Sequence, residues 1–166
     1  MTKSLALCLI SIGCLLTACA SSNNWRHGHV NSGTSDFSSS RLSYTNPNPS
    51  QGMDLEIIRT NKASRGYLAV HSHPILPYEK DPKKALVSLQ IEHESFSCIA
   101  SRHEGGHRVL LPEEIVQKII LSLMNGKEVL IETSGYKAQI SPEGFSDHYL
   151  KFQNPSNMKN LIKMPI

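Results

Sequence analysis

Residues His103-Glu104-Gly105-Gly106-His107 spell a hydrolytic chemistry letter for letter. Two imidazoles four residues apart on a helical face converge on a zinc ion, and the glutamate beside them takes a proton from the metal-bound water. A helix is the condition, and the two consecutive glycines cost it roughly 1 kcal/mol each. Glu104-Gly105-Gly106-His107 suits a tight hairpin instead, in which His103 and His107 leave from opposite arms. His71 and His73, two residues apart, share one face if they lie on a strand, and with a hairpin histidine they make a milder metal site. They fit equally well as exposed polar residues closing a strand before Pro74. His27 and His29 offer two ligands on a polar stretch, enough only for a weak and unselective site. Cys98 alternates with Phe96 and Ala100, which turns it toward a core and makes it a small hydrophobe rather than a nucleophile. The nucleophile elbow, the phosphate loop and the dinucleotide fingerprint are all missing. The expectation is a noncatalytic chain with no assigned catalytic, cofactor-binding or metal residues.

The elements that must position these groups are mostly strands. Ala85, Val87, Leu89 and Ile91 alternate with Ser88, Gln90 and Glu92, as in a half-buried strand. A turn at His93-Glu94 leads to a second strand through Phe96, Cys98 and Ala100. Similar runs occupy 53–60, 65–73, 107–111, 128–133 and 136–140, about seven short strands in all. They predict a mainly β fold, an antiparallel sandwich or partly open barrel. One amphipathic helix is expected at 113–125. Pro112 sets its start, Glu113 and Glu114 suit its amino terminus, and Asn125-Gly126 supplies a left-handed stop. Its broad apolar face, from Ile115 to Met124, should pack on the sheet. A short C-terminal helix follows Ser141-Pro142-Glu143, spacing Phe145, Tyr149 and Phe152 to plug one end of the core.

The chain has 166 residues with 17 basic and 14 acidic side chains, a net charge of +3. That balance excludes a dedicated nucleic-acid arm. The distribution is more informative than the total. Residues 1–18 hold a single charge, Lys3, followed by an apolar run from Leu5 to Leu16, which is the layout of a secretory signal. The run is too short for the ~20 residues of a stable membrane span. Loss of this segment takes away one basic and no acidic residue, leaving +2. It also discards Cys8 and Cys14. Residues 19–50, rich in serine and asparagine, are expected to form a disordered tether ahead of a β-rich globular domain at 51–166.

At the end of the apolar run, Leu16-Thr17-Ala18-Cys19 resembles the lipobox of bacterial lipoproteins. The resemblance implies diacylglyceryl transfer to the Cys19 thiol, cleavage before Cys19 and acylation of the new amino terminus. Several acyl chains anchor a protein stably, at about 0.8 kcal/mol per buried methylene. Ala20 and Ser21, in place of an aspartate after the cysteine, are similar to the outer-membrane default of Gram-negative lipoproteins. With Cys19 acylated, Cys98 is the one thiol left, so no intramolecular disulfide can form.

The order of elements from Leu86 to Phe152, about 40% of the chain, resembles the invasion-associated locus B family of exported bacterial proteins. The similarity lies in paired strands, a Leu-Pro-started helix, Asn125-Gly126-Lys127 at its stop, and Gly144-Phe145-Ser146 opening the last helix. It implies a β-sandwich and a noncatalytic envelope protein, although the cysteine pair carried by many members is missing. The expected partners are the membrane, through the lipidated amino terminus, and an envelope protein, but not nucleic acid. Two alternatives remain open: a pilotin-like accessory lipoprotein of a secretion system, and a metal-binding or zinc-dependent envelope enzyme.

Overall fold

The computed structural model describes residues 24–30, 38–47, 52–61 and 63–154. Alternation dictates most of it. Met53–Thr60 (β3) and Tyr136–Ile140 (β9) have the bounds expected from their patterns. Ser64–Val70 (β4), Lys84–Ile91 (β5), Glu94–Arg102 (β6), Arg108–Leu110 (β7) and Val129–Thr133 (β8) differ from expectation by one to three residues at their ends. Along β5, Ala85, Val87, Leu89 and Ile91 are all buried, while Leu86 and Gln90 are exposed.

The expected tether is corrected by two further strands. Trp25–Val30 (β1) and Ser39–Tyr44 (β2) pair antiparallel with each other, and β2 pairs with β3. The folded domain thus begins before residue 51. A strand that buries one face needs only alternate apolar residues. Trp25 supplies them on β1, and Leu42 and Tyr44 on β2, with the hydroxyl-bearing Ser40 buried beside them. The strands number nine rather than about seven. They form one antiparallel sheet that is not closed, in the order β1-β2-β3-β4-β7-β6-β5-β8-β9.

Side chains join the two ends of this sheet where no ladder does. β9 passes the ends of three strands in turn. Tyr136 Oη donates to the His73 carbonyl just beyond β4 at 2.8 Å, Tyr44 Oη to the Gln139 carbonyl at 3.2 Å, and Trp25 Nε1 to the Ser141 carbonyl at 2.8 Å.

The first helix, Glu113–Met124 (α1), has Pro112 as its N-cap and two glutamates in its first turn. It ends in a Schellman motif. Gly126 adopts φ +73°, its N–H bonds to the Leu123 carbonyl, and the Lys127 N–H bonds to the Ser122 carbonyl. Ile115, Val116, Ile119, Ile120 and Leu123 are buried, and α1 packs on β4 and β8 as expected of its apolar face. Met124, assigned to that face by periodicity, is 40% exposed. The second helix, Phe145–Gln153 (α2), covers β1 and β2. Phe145 and Phe152 are buried and Tyr149 packs against the core, so the three aromatics close its end.

Contact between α1 and β4 depends on Gly66. A Cβ there would lie 2.5 Å from Val116 Cγ2, and valine on a helix has one strongly preferred rotamer with which to yield. Gly66→Ala is expected to lower stability by about 1–3 kcal/mol through overpacking. Adding Val116→Ala should recover part of that loss. Chemical denaturation of the two variants checks it, and a Gly66→Ala protein as stable as the wild type would contradict the close approach.

Candidate functional site

The zinc-protease string lies on a turn. β6 and β7 pair through Arg102↔Val109, and the His103 N–H bonds to the Arg108 carbonyl while the Gly106 N–H bonds back to the His103 carbonyl. Gly105 and Gly106 both have positive φ, the condition that selects glycine there. A Cβ on Gly106 would fall 2.1 Å from the Arg102 guanidinium, which donates to the carbonyls of Ile75 and Pro82. The glycines therefore serve the turn and its arginine brace. The His103 ring stands edge-on to Tyr67 at 5.7 Å, and His107 is exposed.

His71 and His73 do not share a strand face, because β4 ends at Val70. Their chain has left the sheet ahead of Pro74, which has no N–H to offer a ladder. His71 Nε2 lies 3.0 Å from Asp54 Oδ2, whereas His73 engages Tyr136 through its backbone. Among the described residues, no group of three or more histidine, cysteine, aspartate or glutamate side chains is placed to hold a metal ion. Cys19 lies outside the described residues.

Two polar constellations escaped sequence reasoning. The first is on the outer face of the sheet. Glu56, only 9% exposed, is bonded by Arg41 through Oε1 and by Arg108 through Oε2, the latter at 2.7 Å. The Arg108 guanidinium also lies over the Tyr67 ring at 4.0 Å. Its buried Nε has no hydrogen-bond partner, and the cation–π contact is the compensation the geometry provides. Two arginines around one carboxylate leave an excess positive charge. The carboxylate is already engaged on both oxygens, so the cluster cross-links β2, β3 and β7 rather than presenting a base.

The second constellation joins β1 to α2. His27 Nδ1 and His148 Nδ1 are 3.1 Å apart, with ring centroids separated by 5.2 Å. Burial lowers the pKa of both rings below the ordinary value, and the Lys151 ammonium adds to this at each. At His148 the neighbouring His27 contributes in the same direction and Asp147 opposes it. Both imidazoles are thereby favoured in the neutral form, which can share a proton or offer lone pairs.

Cys98 sits half-buried against the core, as its alternation predicts. Burial, reinforced by Glu114, pushes its thiol from 9.0 up to about 11. At pH 8 the thiolate fraction is then about a hundredfold below that of an unshifted thiol, since only the thiolate is nucleophilic. Iodoacetamide should modify Cys98 slowly in the folded protein and rapidly once urea unfolds it. Equal rates in the two states, followed by mass spectrometry, would contradict this placement.

Two of the shallow surface depressions have exposed leucines among their lining residues. One, of about 610 Å³, runs between residues 76–79 and the β8–β9 turn, where Leu76 and Leu86 are exposed. The other, of about 430 Å³, lies between α1 and the β5–β6 turn, with Leu121 on its rim and Lys118 Nζ over the Phe96 ring at 3.4 Å. Among the described residues, no helix is long and apolar enough to cross a membrane. Comparison of the chain with protein-family models, with curated proteins and with solved structures gives no match.

Proposed function

We propose that the chain is a lipid-anchored, noncatalytic lipoprotein of the bacterial envelope, held at the outer membrane, whose β-rich domain is a binding or structural module. The observation that carries this reading is Leu16-Thr17-Ala18-Cys19 at the end of a short apolar run. The roles of the candidate chemical groups support the noncatalytic part. The HExxH string lies on a glycine turn, Glu56 is engaged by two arginines, and the Cys98 thiol is held protonated. The side-chain bonds between β9 and the ends of β1, β2 and β4 support a partly open barrel as the domain's architecture.

The early start of the sheet sharpens the anchoring. From Cys19 to Asn24 is 24 − 19 = 5 residues. Even fully extended, that length reaches about 17–18 Å. On this reading the domain sits against the bilayer instead of ranging from it on a 32-residue tether (19–50). Separation of inner and outer membranes on a density gradient tests the assignment. The protein is expected with the outer membrane, and recovery in the soluble fraction would overturn it.

The groove beside α1 favours a pilotin-like role as the second reading, because the exposed Leu121 beside Ile91 and Phe96, within an otherwise polar and charged lining, suits a partner's amphipathic helix. Co-purification of a secretin subunit, lost on Leu121→Glu, would raise this reading over a purely structural one.

A further inference from the structure

We infer that His27 and His148 form a binding site for a divalent transition-metal ion, for which Cu2+ serves as the probe. The geometry is the first argument. Two imidazole nitrogens bound at 2.0–2.1 Å to one tetrahedral ion stand about 3.3 Å apart, and their ring centroids about 5.2 Å apart. The Nδ1 atoms here are 3.1 Å apart and the centroids 5.2 Å. The two rings therefore need to move only a few tenths of an ångström to share an ion.

Position is the second argument. One imidazole comes from an edge strand and the other from the first turn of α2, and both are half-buried with access to solvent. Trp25 on the same face of β1 packs at 4.8 Å against Phe145 of α2, which holds the strand and helix together. The site is thus braced before any ion arrives. Of the charged groups in reach, Asp147 favours a cation and Lys151 opposes one. With two protein ligands and water completing the shell, the site is unselective, and affinity follows the general order of divalent ions, in which Cu2+ binds imidazole most tightly.

The test uses the full-length protein in detergent, stripped with chelator and titrated with Cu2+. Trp25 is the chain's single tryptophan and lies two residues from His27, so its fluorescence reports an ion bound there. Saturable quenching at one equivalent is expected. His27→Ala and His148→Ala should each weaken the apparent affinity at least tenfold, while His103→Ala leaves it unchanged. Quenching that neither variant alters, or that never saturates, would overturn the site. Because His27→Ala alters an edge strand, the wild type is also examined by electron paramagnetic resonance of bound Cu2+. Coupling to two imidazole nitrogens is expected, and its absence would count against the proposal whatever the variants do.

Discussion

Replacing Trp25 by alanine is expected to lower the unfolding free energy of the domain by about 3–5 kcal/mol, as truncation of a large buried aromatic does. Trp25 is 2% exposed. Its ring meets Tyr44 edge-on at 5.0 Å and Phe145 at 4.8 Å, and its indole N–H donates to the Ser141 carbonyl at 2.8 Å. One side chain therefore ties β1 to β2, to α2 and to the chain leaving β9. Truncation leaves a cavity where these meet and a partly buried carbonyl without its donor. Domains of this size are stable by only about 5–15 kcal/mol, so the variant should unfold at a much lower urea concentration. Arg26→Ala, at an exposed position on the same strand, should stay within about 0.5 kcal/mol of the wild type. If Trp25→Ala were as neutral as Arg26→Ala, β1 would not belong to the fold, and the short connection to the anchor would go with it.

Cys19→Ser is expected to have the largest effect on where the protein resides. On the proposed reading, the serine hydroxyl replaces the thiol that would accept the diacylglyceryl group, and without that group cleavage before residue 19 is not expected to follow. Two consequences can be read separately. The mature acylated species disappears, and a precursor heavier by the 18 residues of the signal segment accumulates. Outer-membrane recovery should fall to background, because each lost acyl methylene removes about 0.8 kcal/mol of membrane affinity. Stability of the domain should not change, since on this reading Cys19 serves only as the anchor. Unaltered processing and fractionation of the serine variant would refute anchoring through this residue.

The pattern of what could be read from sequence follows from physical range. β3, β9 and α1 were readable because each carries a complete local signal. Met53, Leu55 and Ile57 alternate, Tyr136, Ala138 and Ile140 alternate, and α1 has a start, a face and a stop. The turn at Glu104-Gly105-Gly106 was also readable, since adjacent glycines disfavour the helix that a zinc site needs. β1 and β2 were not. Serine and asparagine dominate their neighbourhood, and composition suggested a segment unable to offset its ordering entropy. What offsets it is non-local: Trp25 packs against a helix more than a hundred residues later. The His27–His148 pair was hidden for the same reason, its members being 121 positions apart. His71 and His73 show the reverse case. Their spacing suggested a shared strand face, but β4 stops at Val70, and no local pattern showed that Asp54 and Tyr136 would receive them.

Glu56 shows the limit of alternation as a guide. Its position between Leu55 and Ile57 places it on the outer face, where a carboxylate is ordinarily solvated. Only the pairing of β3 with β2 and of β4 with β7 brings Arg41 and Arg108 to its two oxygens. Register converts a surface acid into a cross-link.

On the proposed reading, Cys19 joins a folded sheet to the membrane. Peptide mass spectrometry of the amino terminus of the protein isolated from its own envelope tests this most directly. The expected species is a mature chain beginning at Cys19, carrying a thioether-linked diacylglyceryl group and an acylated amino terminus. A chain beginning at any other residue, or a Cys19 with an unmodified thiol, would contradict it.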